Sequence, residues 1–172
     1  MSGHFDFAVQ YVLSNEGAYS NEPADRGGET FYGISRAARM AHRCDQHSRG
    51  IEADDFRRAN RQDGIALATH VYRLDYWTFG GIVDPCVAAK VFDIDVNMGV
   101  GIGVIQGAVG AKVDNKWGPK TLAAVNALSR NDALERLSVA VADHYVDECL
   151  RLPSQLKFLK GWMRRAVRRP HV

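Results

Sequence analysis

The apolar side chains recur with helical spacing along most of this chain, and one glycine-rich stretch interrupts that pattern. Phe5, Val9 and Val12 follow the spacing of three and four residues that marks the buried face of a helix. The pattern fades at Asn15, and residues 21–33 are then rich in glycine, proline, asparagine and aspartate, which predicts an ordered loop or a short irregular hairpin. The fold is therefore predicted to be all-α or mostly α, with one irregular loop near the start.

Capping signals predict several helix boundaries. Asp6 is a candidate N-cap of the first helix, and Pro85 suits the first turn of a buried helix. Asp132 and Glu135 have the spacing of a capping box, and Ser154 is a candidate cap for the last helix. The remaining apolar spacing predicts helical segments at residues 53–60, 63–76, 85–97 and 100–110. The last of these is rich in glycine, so we expect close packing between helices there.

The length and the metal-ligating residue types narrow the class of protein. At 172 residues the chain has room for one compact domain, or for a domain with a small appended lobe. Its three cysteines lack the spacing of a disulfide framework or a zinc site, and its six histidines form no zinc-binding motif. Asp93, Asp95 and Asn97 alternate along one predicted helix, so they do not share a face, and we expect capping or buttressing roles for Asp95 and Asn97. No metal and no cofactor is expected.

The start of the chain bears on its location. The apolar runs are shorter than the roughly 18 residues that a membrane-spanning helix needs. Residues 1–14 carry Asp6 and Gln10 inside their apolar stretch and have no basic leader, unlike a secretory signal peptide. The protein is therefore expected in the cytoplasm at synthesis.

Positive charge is concentrated at the end of the chain. Residues 151–172 hold seven basic side chains and no acidic one, which leaves 15 basic against 20 acidic groups in residues 1–150. An apolar stripe is expected to hold this last helix on the body of the protein, and it consists of Leu159, Trp162, Met163, Ala166 and Val167. The basic face allows three interpretations: a solvated surface, a contact with anionic phosphates of the cell envelope, or nucleic-acid binding. The acidic remainder of the chain disfavours nucleic acid.

The junction at residues 16–35 carries the clearest chemistry. Glu16 ends the first apolar helix, Asp25 follows nine residues later, and Thr30 five residues after that. Cleavage of a glycosidic bond needs one carboxyl that stays protonated to donate to the leaving oxygen, and a second that is ionised. An apolar neighbourhood favours a protonated carboxyl and a polar one an ionised carboxyl, which suits Glu16 and Asp25 respectively. A solvated helix end and an ordinary turn aspartate are the alternative that spacing alone leaves open.

A longer pattern around these residues resembles a known family. Glu16-Gly-Ala-Tyr19, followed by Asn21-x-Pro23-x-Asp25-x-Gly27-Gly28-x-Thr30-x-x-Gly33-Ile34, resembles the signature of glycoside hydrolase family 108, the N-acetylmuramidases of phages, prophages and bacterial secretion clusters. The similarity continues through Tyr76-Trp77, Phe92-Asp93 and Val96-Asn97-x-Gly99. Asp114-x-x-Trp117-Gly118-Pro119-x-Thr121 is then similar to the predicted peptidoglycan-binding segment that completes these proteins. The order of Glu16, Asp25 and Thr30 is also similar to that in phage T4-type lysozymes.

The resemblance implies a lysozyme-like helical fold, with residues 1–83 as the catalytic lobe. Residues 84–172 are then a helical lobe of the peptidoglycan-binding type, packed on the first as one compact unit. Glu16 is implied as the general acid, Asp25 as the second carboxylate, and Thr30 as the residue that holds water or sugar. Substrate contacts are implied for Tyr19, Asn21, Tyr32, Gly33 and Asn97. The implied reaction is hydrolysis of the β-1,4 bond between N-acetylmuramic acid and N-acetylglucosamine, without a cofactor.

The chain departs from the family pattern at a few positions, and rival functions stay open. Ala18 stands where the family usually has a second glycine, and Asn115 replaces a turn glycine. The rivals are a lytic transglycosylase and a non-catalytic peptidoglycan-binding protein. By analogy, the protein is expected to be a monomeric phage or prophage endolysin released through a holin, or a muramidase that serves toxin export. Its partner is then the peptidoglycan strand, reached in the periplasm or cell wall, and nucleic acid is not a partner.

Overall fold

A computed structural model describes residues 2–17, 19–20, 29–35 and 53–171. The chain is mostly helical, as predicted, and it divides into two compact units, Ser2–Trp77 and Thr78–Val172. The division falls a few residues before the predicted lobe boundary at residues 83 and 84. The expectation that the two lobes pack as one compact unit stays a prediction.

The first unit combines helices with a very small sheet. Its elements are α1 (Ser2–Asn15), β1 (Tyr19–Ser20), β2 (Thr30–Phe31), β3 (Ile34–Ser35), α2 (Ala53–Arg58), α3 (Arg61–Val71) and a π-helical turn at Tyr72–Tyr76. The strands are antiparallel in the order β1-β2-β3, with Tyr19 opposite Phe31 and Thr30 opposite Ser35. The predicted irregular hairpin is therefore confirmed for residues 29–35, whereas residues 21–28 lie outside the described residues.

Helix α1 buries the face that its apolar spacing predicts, since Phe5, Val9 and Val12 are almost fully buried. The predicted N-cap at Asp6 is wrong, because the helix already begins at Ser2. Asp6 lies one turn inside the helix and accepts a 2.7 Å hydrogen bond from Nη2 of Arg73 instead. A carboxylate inside a helix can form an ion pair with a cation on a neighbouring element. Capping rules consider only contacts with the helix backbone and so do not predict such a pair.

The two helices before the π-helical turn begin close to where the sequence predicts them. Phe56 on helix α2 is buried and stacks on Phe31, with ring centroids 5.4 Å apart. Helix α3 begins at Arg61, two residues before the predicted start. Asn60 is its N-cap, and its side-chain oxygen accepts from the amides of residues 62 and 63.

In the part of the second unit that the structure describes, the regular elements are all helices. Its elements are α4 (Pro85–Asn97), α5 (Gly101–Ala108), α6 (Pro119–Asn126), α7 (Arg130–Arg151), a 3-10 turn at Pro153–Gln155, and α8 (Leu156–Val167). Helix α4 starts at Pro85 as predicted, and its residues 86–95 are all buried. Glycine lets α5 approach α4, because a Cβ on Gly101 would lie 2.7 Å from the carbonyl oxygen of Ile94.

Two capping predictions in this unit are wrong. The N-cap of α7 is Ser129, whose hydroxyl accepts from the amide of Asp132, so the box lies three residues earlier than predicted. Ser154 lies inside the 3-10 turn, and α8 begins at Leu156 without a side-chain cap. Val167 does not belong to the packed stripe, since it is 61% exposed.

A buried glutamine organises the loop between α5 and α6. Gln106 is 1% exposed, and its amide nitrogen donates to Oδ1 of Asp114, the carbonyl of Lys116 and the hydroxyl of Thr121 at 2.8–3.0 Å. Its oxygen accepts from the amides of Asp114 and Asn115 at 3.0 and 2.9 Å. Asn115 has φ 58°, so it adopts the left-handed conformation that its place in a glycine turn predicts. The Asp114–Thr121 motif thus has a structural role within this loop.

Two of the three cysteines lie in the described residues. Cys86 and Cys149 are buried thiols, whereas Cys44 lies outside the described residues. Within the described ranges, no group of three or more His, Cys, Asp or Glu side chains could hold a metal ion. No helix there is long and apolar enough to cross a membrane.

Candidate active site

Glu16 lies where α1 gives way to the small sheet. Its amide still donates to the carbonyl of Val12 at 3.1 Å, so its backbone continues the last turn of the helix. The side chain is half-buried. The buried face of α1 therefore fixes the backbone of Glu16, while part of its side chain stays accessible.

Gly33 forms the surface against which the Glu16 side chain lies. It has φ 82°, a conformation that residues with a Cβ rarely adopt. A Cβ at this position would lie 2.7 Å from both Cγ and Cδ of Glu16 and 2.6 Å from Oη of Tyr72. Only glycine leaves room here, so the predicted site residues Glu16 and Gly33 are brought into contact.

Tyr32 precedes that glycine and is part of the same turn. Its carbonyl accepts a 2.7 Å hydrogen bond from Oη of Tyr72, and its own hydroxyl donates to the carbonyl of Arg61 at 3.3 Å. The Tyr32 ring lies over Gly64, where a Cβ would approach the ring to 2.7 Å. In this structure the Tyr32 side chain thus packs on α3.

Tyr19 and Thr30 lie on the sheet itself. Tyr19 is 55% exposed, and one side of its ring packs on Phe31 with centroids 5.2 Å apart. Thr30 is half-buried and pairs with Ser20 on one side and Ser35 on the other. The sheet therefore joins Tyr19, Thr30 and the Gly33 turn into one small platform.

A further carboxylate, Glu29, stands beside this platform and is held by an arginine. Nε of Arg57 donates to Oε1 of Glu29 at 2.9 Å, and Nη2 of Arg57 pairs with Oε2. This fork-to-fork pair is geometrically specific, and the Tyr19 hydroxyl donates to the same carboxylate at 3.4 Å. The Glu29 side chain, 11% exposed, thus ties the start of β2 to α2, which indicates an anchoring role.

The described part of this arrangement does not include three of the predicted site residues. Asp25 and Asn21 lie outside the described residues. Asn97 is the last residue of α4 in the second unit, and its Nδ2 donates to Oη of Tyr145 at 2.5 Å. The functional roles assigned to these three residues stay predictions.

Sequence reasoning missed Tyr72 and Gly64, which both touch the turn described above. Tyr72 is fully buried and begins the π-helical turn, in which the amide of Trp77 donates to the Tyr72 carbonyl at 3.0 Å. π-helical turns are rare in proteins, and those that occur are often at functional sites. No local sequence pattern predicts them. Tyr72 is 40 residues from Tyr32 in the chain, so only the tertiary structure reveals their contact.

Comparison with known proteins identifies the family. Residues 9–99 match the glycosyl hydrolase 108 model, and residues 100–167 match the predicted peptidoglycan domain model. The solved structure of Brucella abortus SagA is similar, with 28% identity, a TM-score of 0.71, and coverage of 96% of this chain and 91% of that chain. No curated protein matches. Because the first model spans more than half of the chain and the second completes it, the chain belongs to glycosyl hydrolase family 108 and is a glycoside hydrolase that acts on peptidoglycan.

Proposed function

We propose that the protein is an N-acetylmuramidase that hydrolyses the β-1,4 bond between N-acetylmuramic acid and N-acetylglucosamine, with Glu16 as the general acid. The observation that carries this proposal is the half-buried Glu16 side chain against Gly33, beside the Tyr19 and Thr30 platform. A carboxyl fixed at a helix end and still accessible can reach a bound glycan. Glu16 also lies inside the matched glycosyl hydrolase region.

In the proposed reaction, protonated Glu16 gives its proton to the glycosidic oxygen as the bond from that oxygen to the sugar carbon breaks. The positive charge that develops on the sugar ring is stabilised by an ionised carboxylate, the role we assign to Asp25. Water supplies the new hydroxyl on the sugar carbon and gives its other proton to a carboxylate, either Asp25 or the deprotonated Glu16. Thr30 orients this water or the sugar. No cofactor takes part, since acid, carboxylate and water complete the balance.

We assign glycan contacts to four residues of this region, among them the exposed Tyr19, and to Asn97. The free side of the Tyr19 ring offers an apolar face of the kind that stacks on a sugar. Asn21, Tyr32 and Gly33 complete the proposed groove, in which the glycine lets the backbone approach the substrate. The second unit, which matches the peptidoglycan domain model, supplies further contacts to the strand.

The decisive variant is Glu16→Gln, which keeps the size of the side chain and removes its acidic proton. We expect clearance of purified peptidoglycan to slow by on the order of a thousandfold. Glu135→Gln is the matched control, because Glu135 is exposed on α7 in the second unit. Thermal melting of both variants checks that they are folded.

The released sugars separate the proposal from its rivals. Reducing N-acetylmuramic acid ends, seen by mass spectrometry, indicate hydrolysis. Products with 1,6-anhydro sugars and an active Asp25→Asn variant would instead identify a lytic transglycosylase. A folded protein that binds peptidoglycan without ever cleaving it would identify a binding protein.

We also propose that α8 contacts anionic phosphate polymers of the cell envelope. Lys157, Lys160 and Arg164 are exposed on this helix, whereas Arg165 turns inward and binds the buried Asp93 at 2.8 Å. One arginine thus holds the helix in place and the others face solvent. Each cation near an anionic surface contributes on the order of 1 kcal/mol of binding free energy.

The double variant Lys160→Gln with Arg164→Gln tests this contact. We expect its affinity for cell walls that carry anionic polymers to fall by about thirtyfold, and its affinity for walls stripped of those polymers to stay the same. Lys112→Gln with Lys116→Gln is the matched control, since both lysines are exposed and belong to the loop before α6 rather than to α8. Equal binding of both double variants to both kinds of wall would indicate that α8 is simply a solvated surface.

We propose that the enzyme works as a monomer in the periplasm or cell wall, where peptidoglycan lies. It would reach that compartment after release through a holin, as a phage or prophage endolysin with bacteriolytic activity, or through dedicated export. Expression in a host with and without a co-expressed holin tests the first route. Lysis that depends on the holin and on Glu16 supports an endolysin, and lysis without it would contradict that route.

A further inference from the structure

The turn at Tyr32 and Gly33 has a backbone that suits only one of its two residues. Both residues have positive φ angles, 50° for Tyr32 and 82° for Gly33. Paired positive angles are typical of a type I′ turn, which prefers asparagine, aspartate or glycine at both central positions. A tyrosine in this conformation is strained, and strain of this kind persists only where surrounding contacts hold it.

Besides the pairing of Phe31 with Ile34 across the turn, α3 and the π-helical turn supply such contacts. Tyr72 donates its hydroxyl proton to the Tyr32 carbonyl, and the Tyr32 ring lies on Gly64 with its hydroxyl directed to the Arg61 carbonyl. The backbone and the side chain of Tyr32 are thus held separately. The Tyr72 bond is the shorter of the two hydrogen bonds, 2.7 Å against 3.3 Å, and Tyr72 is fully buried, so it is the stronger restraint.

The same hydroxyl also lies beside Glu16. The Cβ position of Gly33 is 2.6 Å from Oη of Tyr72 and 2.7 Å from Cδ of Glu16, so these two atoms lie at most 5.3 Å apart. Because Gly33 already contacts the Glu16 side chain, any movement of the turn toward the carboxyl would produce a steric clash. Any movement away would open space beside the carboxyl.

We infer that Tyr72 is a positioning residue for Glu16. Its hydroxyl fixes the strained Tyr32–Gly33 turn, and the turn in turn limits the Glu16 carboxyl to one orientation. This inference rests on the proposed function, in which Glu16 donates a proton to the leaving oxygen. Proton donation requires the carboxyl within hydrogen-bond reach of that oxygen, and a displacement of about 1 Å can slow such a step by up to a hundredfold.

Tyr72→Phe tests this role because it removes the hydroxyl and keeps the buried ring. On soluble glycan strands we expect kcat to fall on the order of tenfold to a hundredfold, with KM within about twofold of the wild type. Tyr11→Phe is the matched control, because Tyr11 is a buried tyrosine of the same unit that has no assigned role in the site. The assays are run well below the melting temperatures of the wild type and both variants, so that all three proteins stay folded. Under these conditions a purely structural role of Tyr72 leaves kcat unchanged.

A spectroscopic readout tests the contact independently of catalysis. The chain has six glutamates, so the carboxyl carbon of Glu16 can be followed by carbon NMR after selective labelling and assigned with Glu16→Gln. We expect Tyr72→Phe to move this signal and Tyr11→Phe to leave it in place. A wild-type kcat for Tyr72→Phe overturns the inference, whether or not the signal moves. A fully active Glu16→Gln would instead refute the proposed function, so the two failures are distinguishable.

Discussion

Gln106 in the second unit and Glu16 in the first are both polar side chains held by a helix, but their surroundings differ. Gln106 is 1% exposed, and five hydrogen bonds connect both ends of its amide to one loop. Glu16 is half-buried, and its side chain lies against a glycine in a strained turn. The first arrangement stabilises a loop, and the second leaves a proton donor accessible to substrate.

The same difference extends to the other buried polar groups of the second unit. Nζ of Lys90 donates to three backbone carbonyls at the end of α8, and Asp93 binds Arg165. These contacts join α4 to the last helix. We therefore expect replacement of these buried polar residues in the second unit to lower stability. Substitutions at the Tyr32–Gly33 turn should lower activity more than stability.

The largest expected effect on stability is that of Gln106→Leu. The leucine is similar in size but leaves five partners without their contacts, among them the buried hydroxyl of Thr121. We expect the free energy of unfolding to fall by about 5 kcal/mol, since each of the five lost bonds contributes about 1 kcal/mol. Chemical denaturation measures this loss.

Gln62→Leu is the control for that substitution, because Gln62 is an exposed side chain on α3 in the first unit. It should change the free energy of unfolding by less than about 0.5 kcal/mol. Gln106→Leu with the stability of the wild type would contradict the view that this network holds the α5–α6 loop.

Gly33→Ala tests the first unit, and it should lower activity by about a hundredfold. Its new Cβ would collide with the Glu16 side chain and with the Tyr72 hydroxyl, so both must move. The matched control is Gly110→Ala, because Gly110 also has a positive φ, 72°, but has nothing within 4 Å of the Cβ position. Both variants carry the same kind of backbone strain, about 1 kcal/mol.

The comparison of these two glycine variants separates strain from contact. Peptidoglycan clearance and thermal melting are measured for both. Equal losses of activity would show that the Gly33 effect arises from backbone strain alone, and the distinction between the two regions would then fail.

The sequence predicts the helices of this chain better than it predicts their contacts. Apolar spacing predicts α1 and α4 because each buries a continuous face, and Pro85 fits the first turn of α4. The cap of α7 was misplaced because Ser129 and Asp132 both suit a cap, and only the three-dimensional structure decides between them. Local signals of this kind compete within a few residues, so boundaries are less predictable than the elements.

For the site, local sequence predicts Glu16, Thr30 and Gly33 because they belong to one continuous segment. The supporting residues cannot be found this way. Tyr72 and Gly64 reach the turn from α3 and the residues after it, and their spacing along the helix resembles that of ordinary core residues. The strained φ of Tyr32 is likewise invisible, since its sequence position predicts no special backbone.

Titration of Lys90 should make the stability of the second unit depend on pH, with a change of about 2 kcal/mol in the free energy of unfolding. Burial lowers its pKa to about 8; the nearby Asp93 opposes this shift, and Arg165 and Arg169 favour it. The unfolded chain has the ordinary value of 10.5, so between pH 8 and 10.5 the unfolded state binds more protons and stability rises with pH. From pH 7 to 9.5 we expect this contribution to increase by about 2 kcal/mol.

The measurement compares chemical denaturation of the wild type and Lys90→Met across that pH range. The variant lacks the titrating amine, so the difference between the two proteins isolates Lys90 from other lysines and tyrosines. A difference that stays constant from pH 7 to 9.5 would mean that the Lys90 pKa is not lowered in the folded protein.

The smallest expected effect concerns Asp84, the N-cap of α4. Its Oδ1 accepts from the amides of Cys86 and Val87 at 2.9 and 3.0 Å, and its Oδ2 accepts from Nε of Arg130 at 2.6 Å. Asp84→Ala removes the cap and should cost about 1 kcal/mol of stability, whereas Asp84→Asn keeps the cap oxygen and should cost less. Chemical denaturation of both variants ranks the two costs.

Because α4 is buried on nearly all sides, its packing holds it in place even without the cap, and activity should change in neither variant. A loss of activity in Asp84→Asn would show that the second unit affects the chemistry of Glu16, which the contrast between the two units does not predict.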